Sequence, residues 1–217
     1  MRFTLVAIIL LISGLGCIHG QCIKNTITTS AKENSAIKGC QYYQAIFGVY
    51  LGSKKVGTLI AEKITNHQII TYAIHSEVKI NLIIELKIEE SIKDVFTKDL
   101  LISSVHIREV NDVQKVKNTV VNQGDTYFFN SDNKPTGGTS ERITATICSL
   151  YFNEPVNETV VYSESYQQFI TMVSSKQNTY EMQLPNGTTT TYKYAGPKLM
   201  SVFSNTTWGD LKFVREN

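Results

Sequence analysis

The sequence predicts one mainly β, antiparallel domain of about nine to eleven strands with one short helix, and three observations point there. Thr, Val, Ile and Tyr are abundant, a bias that suits pleated, half-buried surfaces better than helices. Between Ile70 and Ile88, Ile70, Tyr72, Ile74, Val78, Ile80, Leu82, Ile84, Leu86 and Ile88 share one parity. His75, Glu77, Lys79, Asn81, Glu85, Lys87 and Glu89 share the other, which is the period of a strand. Finally, Asn186-Gly187 lies between Tyr180 and Tyr194 in a β-patterned stretch, and both residues tolerate the positive φ that a type I′ hairpin turn requires.

Length and composition agree with a single globular unit. The chain has 217 residues, enough for one large β domain, and with 18% charged residues and only 13 Gly and 4 Pro it lacks the signature of disorder or of a collagen-like chain. Lys and Glu are interspersed, as in Lys87-Ile88-Glu89-Glu90, and the net charge is +2, so no nucleic-acid partner is implied.

Residues 1–20 read as a signal peptide. Arg2 gives the positive start, Leu5 to Leu15 is apolar apart from Ser13 and Gly14, and small or polar residues follow to Gly20. Cleavage after Gly20 leaves an exported, periplasmic or cell-surface chain, and lipid attachment at Cys17 is the competing outcome. The apolar run is shorter than the ~20 residues of a spanning helix, so no transmembrane span is expected in the mature chain. Without Arg2 the mature charge is 20 basic minus 19 acidic residues, or +1.

Residues 21–41 form a polar arm without period. Export permits disulfides, and Cys22 with Cys40 would close a loop of about 19 residues, which the chain-entropy view values at roughly 3 kcal/mol. Cys148 is then a buried apolar residue. No C-x-x-C pair supports a zinc or redox site.

From residue 42 to 217 the elements follow in order. Phe47 to Leu59 reads as a hairpin turning between Leu51 and Val56. The alternating run Ile70 to Ile88 exceeds an ordinary strand, so one long curved strand or two strands joined by a bend is expected. Further strands fall at about Leu100 to Val110, Val113 to Asn122 and Tyr127 to Phe129, in meander order. Asn130 to Gly138 reads as the longest loop. Ile143, Ile147, Leu150 and Tyr151 fall at i, i+4, i+7 and i+8, which gives the short helix over Ser140 to Phe152, capped by Thr139 or Ser140 and stopped by Pro155. Strands at Thr159 to Tyr162, Gln168 to Met172, the Tyr180 hairpin, Leu199 to Ser204 and Leu211 to Val214 complete the domain.

Several short motifs carry a resemblance. Val49-Tyr50-x-Gly52-x-Lys54-x-Val56-Gly57, Ser149-Leu150-Tyr151-Phe152-x-Glu154-Pro155, Tyr162-Ser163-Glu164-x-Tyr166, Tyr180-x-x-x-Leu184-Pro185-x-Gly187 and Lys212-Phe213-Val214-Arg215 occur in that order. The stretch Phe47 to Arg215 resembles an uncharacterised family of exported proteins frequent in Bacteroidota. That family is in turn similar to periplasmic proteins with a strongly curved antiparallel sheet, and more loosely to open-barrel lipoprotein carriers. The resemblance therefore implies a strongly curved sheet or open (half) barrel. The arm with Cys22 and Cys40 departs from the family pattern.

No catalytic constellation is present. Nucleophile elbow, zinc-protease helix, phosphate loop and dinucleotide glycines are all missing, and no cofactor is implied. His67 and His75 are too far apart along an extended strand to share a metal, and His106 could approach His75 only if their strands paired. Glu89 and Glu90 face opposite sides of a strand. Tyr162, Tyr166, Tyr180, Tyr192 and Tyr194 read either as sheet packing or as a carbohydrate or peptide platform, and Trp208 as a loop anchor or ligand contact. Asn157, Asn186 and Asn205 sit in glycosylation sequons that matter only in a secreting eukaryote.

The functional expectation is a non-enzymatic exported protein whose curved sheet binds an apolar ligand such as lipid or lipoprotein acyl chains. The alternative is a structural or interaction module of an envelope assembly, and a third reading is an envelope-polymer hydrolase.

Overall fold

A computed structural model describes residues 40–81, 85–206 and 209–216, with the backbone alone at 81 and 85. Fourteen strands form one sheet: β1 Cys40–Leu51, β2 Lys54–Asn66, β3 Ile69–Asn81, β4 Glu85–Thr97, β5 Leu100–Val110, β6 Val113–Gln123, β7 Thr126–Ser131, β8 Lys134–Thr139, β9 Val160–Ser163, β10 Gln168–Lys176, β11 Thr179–Gln183, β12 Thr189–Ala195, β13 Lys198–Thr206 and β14 Gly209–Arg215. Their order is β8-β7-β6-β5-β4-β3-β2-β1-β14-β13-β12-β11-β10-β9. Chain neighbours pair in two antiparallel meanders, β1 to β8 and β9 to β14, and the pairing of β1 with β14 welds them.

Tight turns explain the long meander. Lys98-Asp99, Asn111-Asp112 and Asp132-Asn133 all take positive φ at both central positions, the backbone whose twist matches that of the flanking strands. Asn111 Oδ1 accepts from the Lys87 N–H and Asp132 Oδ1 from the Lys117 N–H, so each turn side chain also satisfies the neighbouring strand.

Alternation decides which side is buried. On β3, Tyr72, Ile74, Val78 and Ile80 turn inward, while His75 is exposed. The parity read from the sequence therefore holds over the described part of Ile70 to Ile88; residues 82–84 lie outside it. The stretch is the hairpin of β3 and β4, in which Ile80 opposes Leu86 and Val78 opposes Ile88, so one parity serves both strands.

The sheet curls until its ends meet. Asn118 on β6 donates to the Glu164 and Ser165 carbonyls just beyond β9 at 3.1 and 2.9 Å. Gln167, in the β9–β10 turn, donates to the Thr119 and Asn130 carbonyls, and Thr136 on β8 donates to the Gln167 carboxamide. The seam is closed by side chains and not by a strand ladder, which leaves an open barrel.

The hollow of that barrel is filled by the segment between its two edges. Ile143, Ala145, Thr146, Cys148, Ser149, Leu150 and Tyr151 are buried. The Leu101 N–H donates to the Ile143 carbonyl, the Tyr162 N–H to Ala145 and the Ile147 N–H to Tyr162. Tyr151 packs edge-on against Phe47 at 5.3 Å, Phe152 stacks on Tyr72, and the Tyr194 hydroxyl donates to the Leu150 carbonyl. Strands from both meanders thus grip the segment.

Four expectations need correction, and one open choice, over the tyrosines, is decided for packing. Among the described residues there are fourteen strands and not nine to eleven, partly because Asn130 to Gly138 is mostly the hairpin of β7 and β8 and not a loop. The helix over Ser140 to Phe152 shrinks to a 3-10 turn, Ser149–Tyr151. Its backbone groups are taken by Leu101 and Tyr162, and Thr139 Oγ1 accepts from the Glu141 N–H in a local turn instead of capping a helix. At Asn186-Gly187 only Gly187 has positive φ; Leu184 to Gly187 is closed by the Gly187 N–H on the Leu184 carbonyl, with Pro185 in the second place. The Tyr-rich hairpin is not an outward platform, since Tyr162, Tyr180, Tyr192 and Tyr194 are all buried. Lastly, β1 starts at Cys40, inside the stretch read as an arm.

Candidate functional site

The chemistry concentrates where the inner segment meets the sheet. Asp94 occupies an inward position of β4 between Ile92 and Phe96, and Glu164 follows β9 directly. Both are buried, and with the Cys148 Sγ their oxygens form a group in which the donor atoms lie within 4.8 Å of one another. Thr146 Oγ1 donates to Asp94 Oδ2 at 2.6 Å, and the Cys148 N–H donates to Glu164 Oε1 at 2.8 Å. The remaining oxygens, Asp94 Oδ1 and Glu164 Oε2, are buried without a hydrogen-bond donor.

Electrostatics follow from this burial. Desolvation pushes the Glu164 carboxyl well above its ordinary range, and the Asp94 carboxyl adds to that push. Desolvation also raises Asp94, against the opposing hydrogen bonds of Glu164, Ser104 and Thr146. Two like charges this close cannot both ionise in an apolar interior, so the pair keeps one proton. Burial, then Asp94 and Glu164, raise the Cys148 thiol, which is therefore protonated and inert as a nucleophile. The Tyr162 hydroxyl is raised by burial and then by Glu164 and Asp94, and it has no hydrogen-bond partner. Joined to β4, β9 and the inner segment at once, the cluster pins the filling of the barrel to an interior strand of one meander and to the edge strand of the other.

A second polar pair lies beside it on β4 and β5. His106 is buried, and its Nε2 is 2.7 Å from Glu90 Oε1. Burial would raise the Glu90 carboxyl, but His106 and then Arg108 outweigh it and hold Glu90 below the usual carboxylate range.

The residues singled out in the sequence are dispersed. His75 points outward and pairs with Ser91, His67 with Asn66, and β4 separates the strands of His75 and His106. Glu89 faces Lys87 at 3.0 Å, on the side opposite Glu90. Cys40 is disulfide-bonded, while Cys148 is free and buried. Cys17, Cys22 and Trp208 lie outside the described residues. Asp94 was not singled out, although a charge in an inward position between Ile92 and Phe96 is a visible signal once the alternation is carried past Ile88. Glu164 stood in the Tyr162-Ser163-Glu164 motif, where nothing local marked it as buried.

A domain of unknown function, DUF6134, matches residues 47–216. The chain belongs to this family. The DUF6134 match runs over the same stretch as the motif resemblance, and its description assigns no activity. No curated protein matches the chain. Among solved structures, a beta-barrel-like protein of domain of unknown function DUF1849 from Brucella abortus is similar, with 7% identity, a TM-score of 0.53, and 80% of this chain and 94% of that chain covered. At that identity the likeness concerns the fold: the DUF6134 domain shares a barrel-like antiparallel architecture with it.

Proposed function

We propose that this DUF6134 domain is a non-catalytic interaction module of an exported protein, which takes a protein partner on the outer face of β1 to β8. One observation carries the reading. A single row of paired positions runs outward across seven strands: Tyr42, Ile64, Thr71, Val95, Ser103, Val121 and Phe128. At its far end Val121 and Phe128 are directly paired, and with Ile102 they are 40 to 45% exposed. The adjacent row, Gln44, Glu62, Ala73, Lys93, Val105 and Thr119, carries charges of both signs. An apolar strip rimmed by mixed charge fits a protein surface, whereas an anionic lipid surface calls for a basic rim.

The hollows are shallow. One of about 210 Å³ opens on the outer face at Gln44, Ile60, Glu62 and His75, and one of about 130 Å³ lies beside Thr144, Ser149 and Pro155. Ligand sites usually run to ~300 Å³ or more. An apolar ligand within the sheet would have to displace residues 143–153, and a polymer hydrolase finds no accessible cluster of His, Asp and Glu among the described residues.

Val121→Glu and Phe128→Glu test the reading. Both should keep the wild-type circular dichroism and melting point, because exposed substitutions usually move stability by within about 0.5 kcal/mol. Both should lose the partner that the wild-type chain captures by cross-linking. Undiminished capture by the variants would refute the proposal. So would self-association of the wild type through this face, recruitment to neutral or anionic vesicles, or a stoichiometric lipid found by mass spectrometry of an organic extract.

A further inference from the structure

We infer that Asp94, Glu164 and Cys148 form a binding site for a single divalent transition-metal ion inside the barrel. The three donor atoms lie within 4.8 Å of one another, so side-chain closure by no more than about 1–1.5 Å brings them to the ~3.3–3.8 Å spacing that tetrahedral bonds of ~2.0–2.3 Å set. Each donor comes from a separately anchored piece of the fold: Asp94 from β4, Cys148 from the inner segment, Glu164 from the chain leaving β9. The unengaged oxygens Asp94 Oδ1 and Glu164 Oε2 are the ones left over after Thr146 and the Cys148 N–H have fixed the other two.

A second observation points into the same spot. Asp94 and Glu164 are 0% and 1% exposed, and their Oδ1 and Oε2 atoms have no hydrogen-bond partner in the structure. Buried carboxyl oxygens left so are costly unless a proton or a cation sits against them.

Two carboxylates, a thiolate and M²⁺ make a unit of charge −1, and binding of the dication releases whatever protons those three groups carry. A set with two oxygens and one sulfur suits Zn²⁺ and disfavours Mg²⁺ and Ca²⁺, which select oxygen. Thr146 then acts as the outer partner that orients Asp94.

The probe is Zn²⁺ itself. The full chain is unfolded in chelator, refolded with and without ZnSO₄, freed of loose metal and assayed for zinc, and Co²⁺ is substituted to report the thiolate by its charge-transfer absorption. One zinc per chain is expected, with a cobalt–thiolate band that Cys148→Ser abolishes. Glu164→Gln, which keeps volume and the Cys148 N–H contact, should bind about tenfold more weakly or worse, as should Thr146→Val. Wild-type chain that refolds with native circular dichroism yet retains no zinc overturns the site. Retention of zinc by Cys148→Ser and Glu164→Gln at wild-type affinity overturns it equally. Neither result bears on capture at Val121 and Phe128, so this inference and the proposed function stand or fall separately.

Discussion

The rings of Phe129 and Tyr162 lie 5.6 Å apart although β9 is one end of a fourteen-strand ladder and β7 is the strand next to the other end. Only a sheet curled through most of a turn brings them together. Phe169 from β10 packs edge-on against the same tyrosine at 5.7 Å, so the seam has its own aromatic packing in place of a backbone ladder.

Asn118→Ala opens that seam. Its carboxamide serves the carbonyls of both Glu164 and Ser165, and its removal takes the donor from the buried Glu164 bond and from the part-buried Ser165 bond. A loss of about 1–3 kcal/mol in urea unfolding is expected. An unchanged midpoint would mean that the ends of the sheet are not held there.

Glu90→Gln gives a pH-dependent loss. The folded-state carboxyl is held low by His106 and Arg108, with the Tyr166 hydroxyl also near it. Its stabilisation is complete above the unfolded Glu value of about 4.3 and fades as pH falls through the lower folded value. For a carboxylate one-third exposed, a difference of about 1 kcal/mol from wild type at pH 7 is expected, shrinking to nothing near pH 2. Equal differences at both pH values would remove the ionic pairing from the explanation.

Gly57→Ala strikes the middle of the sheet. A Cβ at Gly57 would collide with the Glu77 carbonyl oxygen and lie 2.9 Å from Val78 Cα, all backbone of the paired β3. Neither can yield without parting β2 from β3, and a loss of about 1–3 kcal/mol is expected by chemical denaturation. A neutral result would show the two strands to be further apart at that pair.

Much of this architecture was legible in the residues. Alternation from Ile70 onward gave the strand type and the buried parity, because a half-buried antiparallel face imposes a period of two over any length. Tight Asn-Asp turns were visible at Asn111-Asp112, whereas Asp132-Asn133 was hidden in a run of turn-forming residues that reads equally as a loop. Residues 140–152 misled because 145–152 are buried or half-buried throughout and have no solvent face to set a period, so chance i, i+4 spacing imitates a helix. The Asp94 and Glu164 pair was out of reach for another reason: 70 residues separate its members, and only closure of the barrel brings them together.

Amide hydrogen exchange at Leu101, Ile147 and Tyr162 tests most directly whether the chain's own residues 143–153 fill the barrel. These three N–H groups donate across the boundary between segment and sheet, to Ile143, Tyr162 and Ala145. They should exchange as slowly as amides in the centre of the ladder between β3 and β4. Exchange as fast as at the exposed Asn157 and Glu158 would mean that the segment leaves the concave side, and that the inside, not the outer face, is where this domain binds.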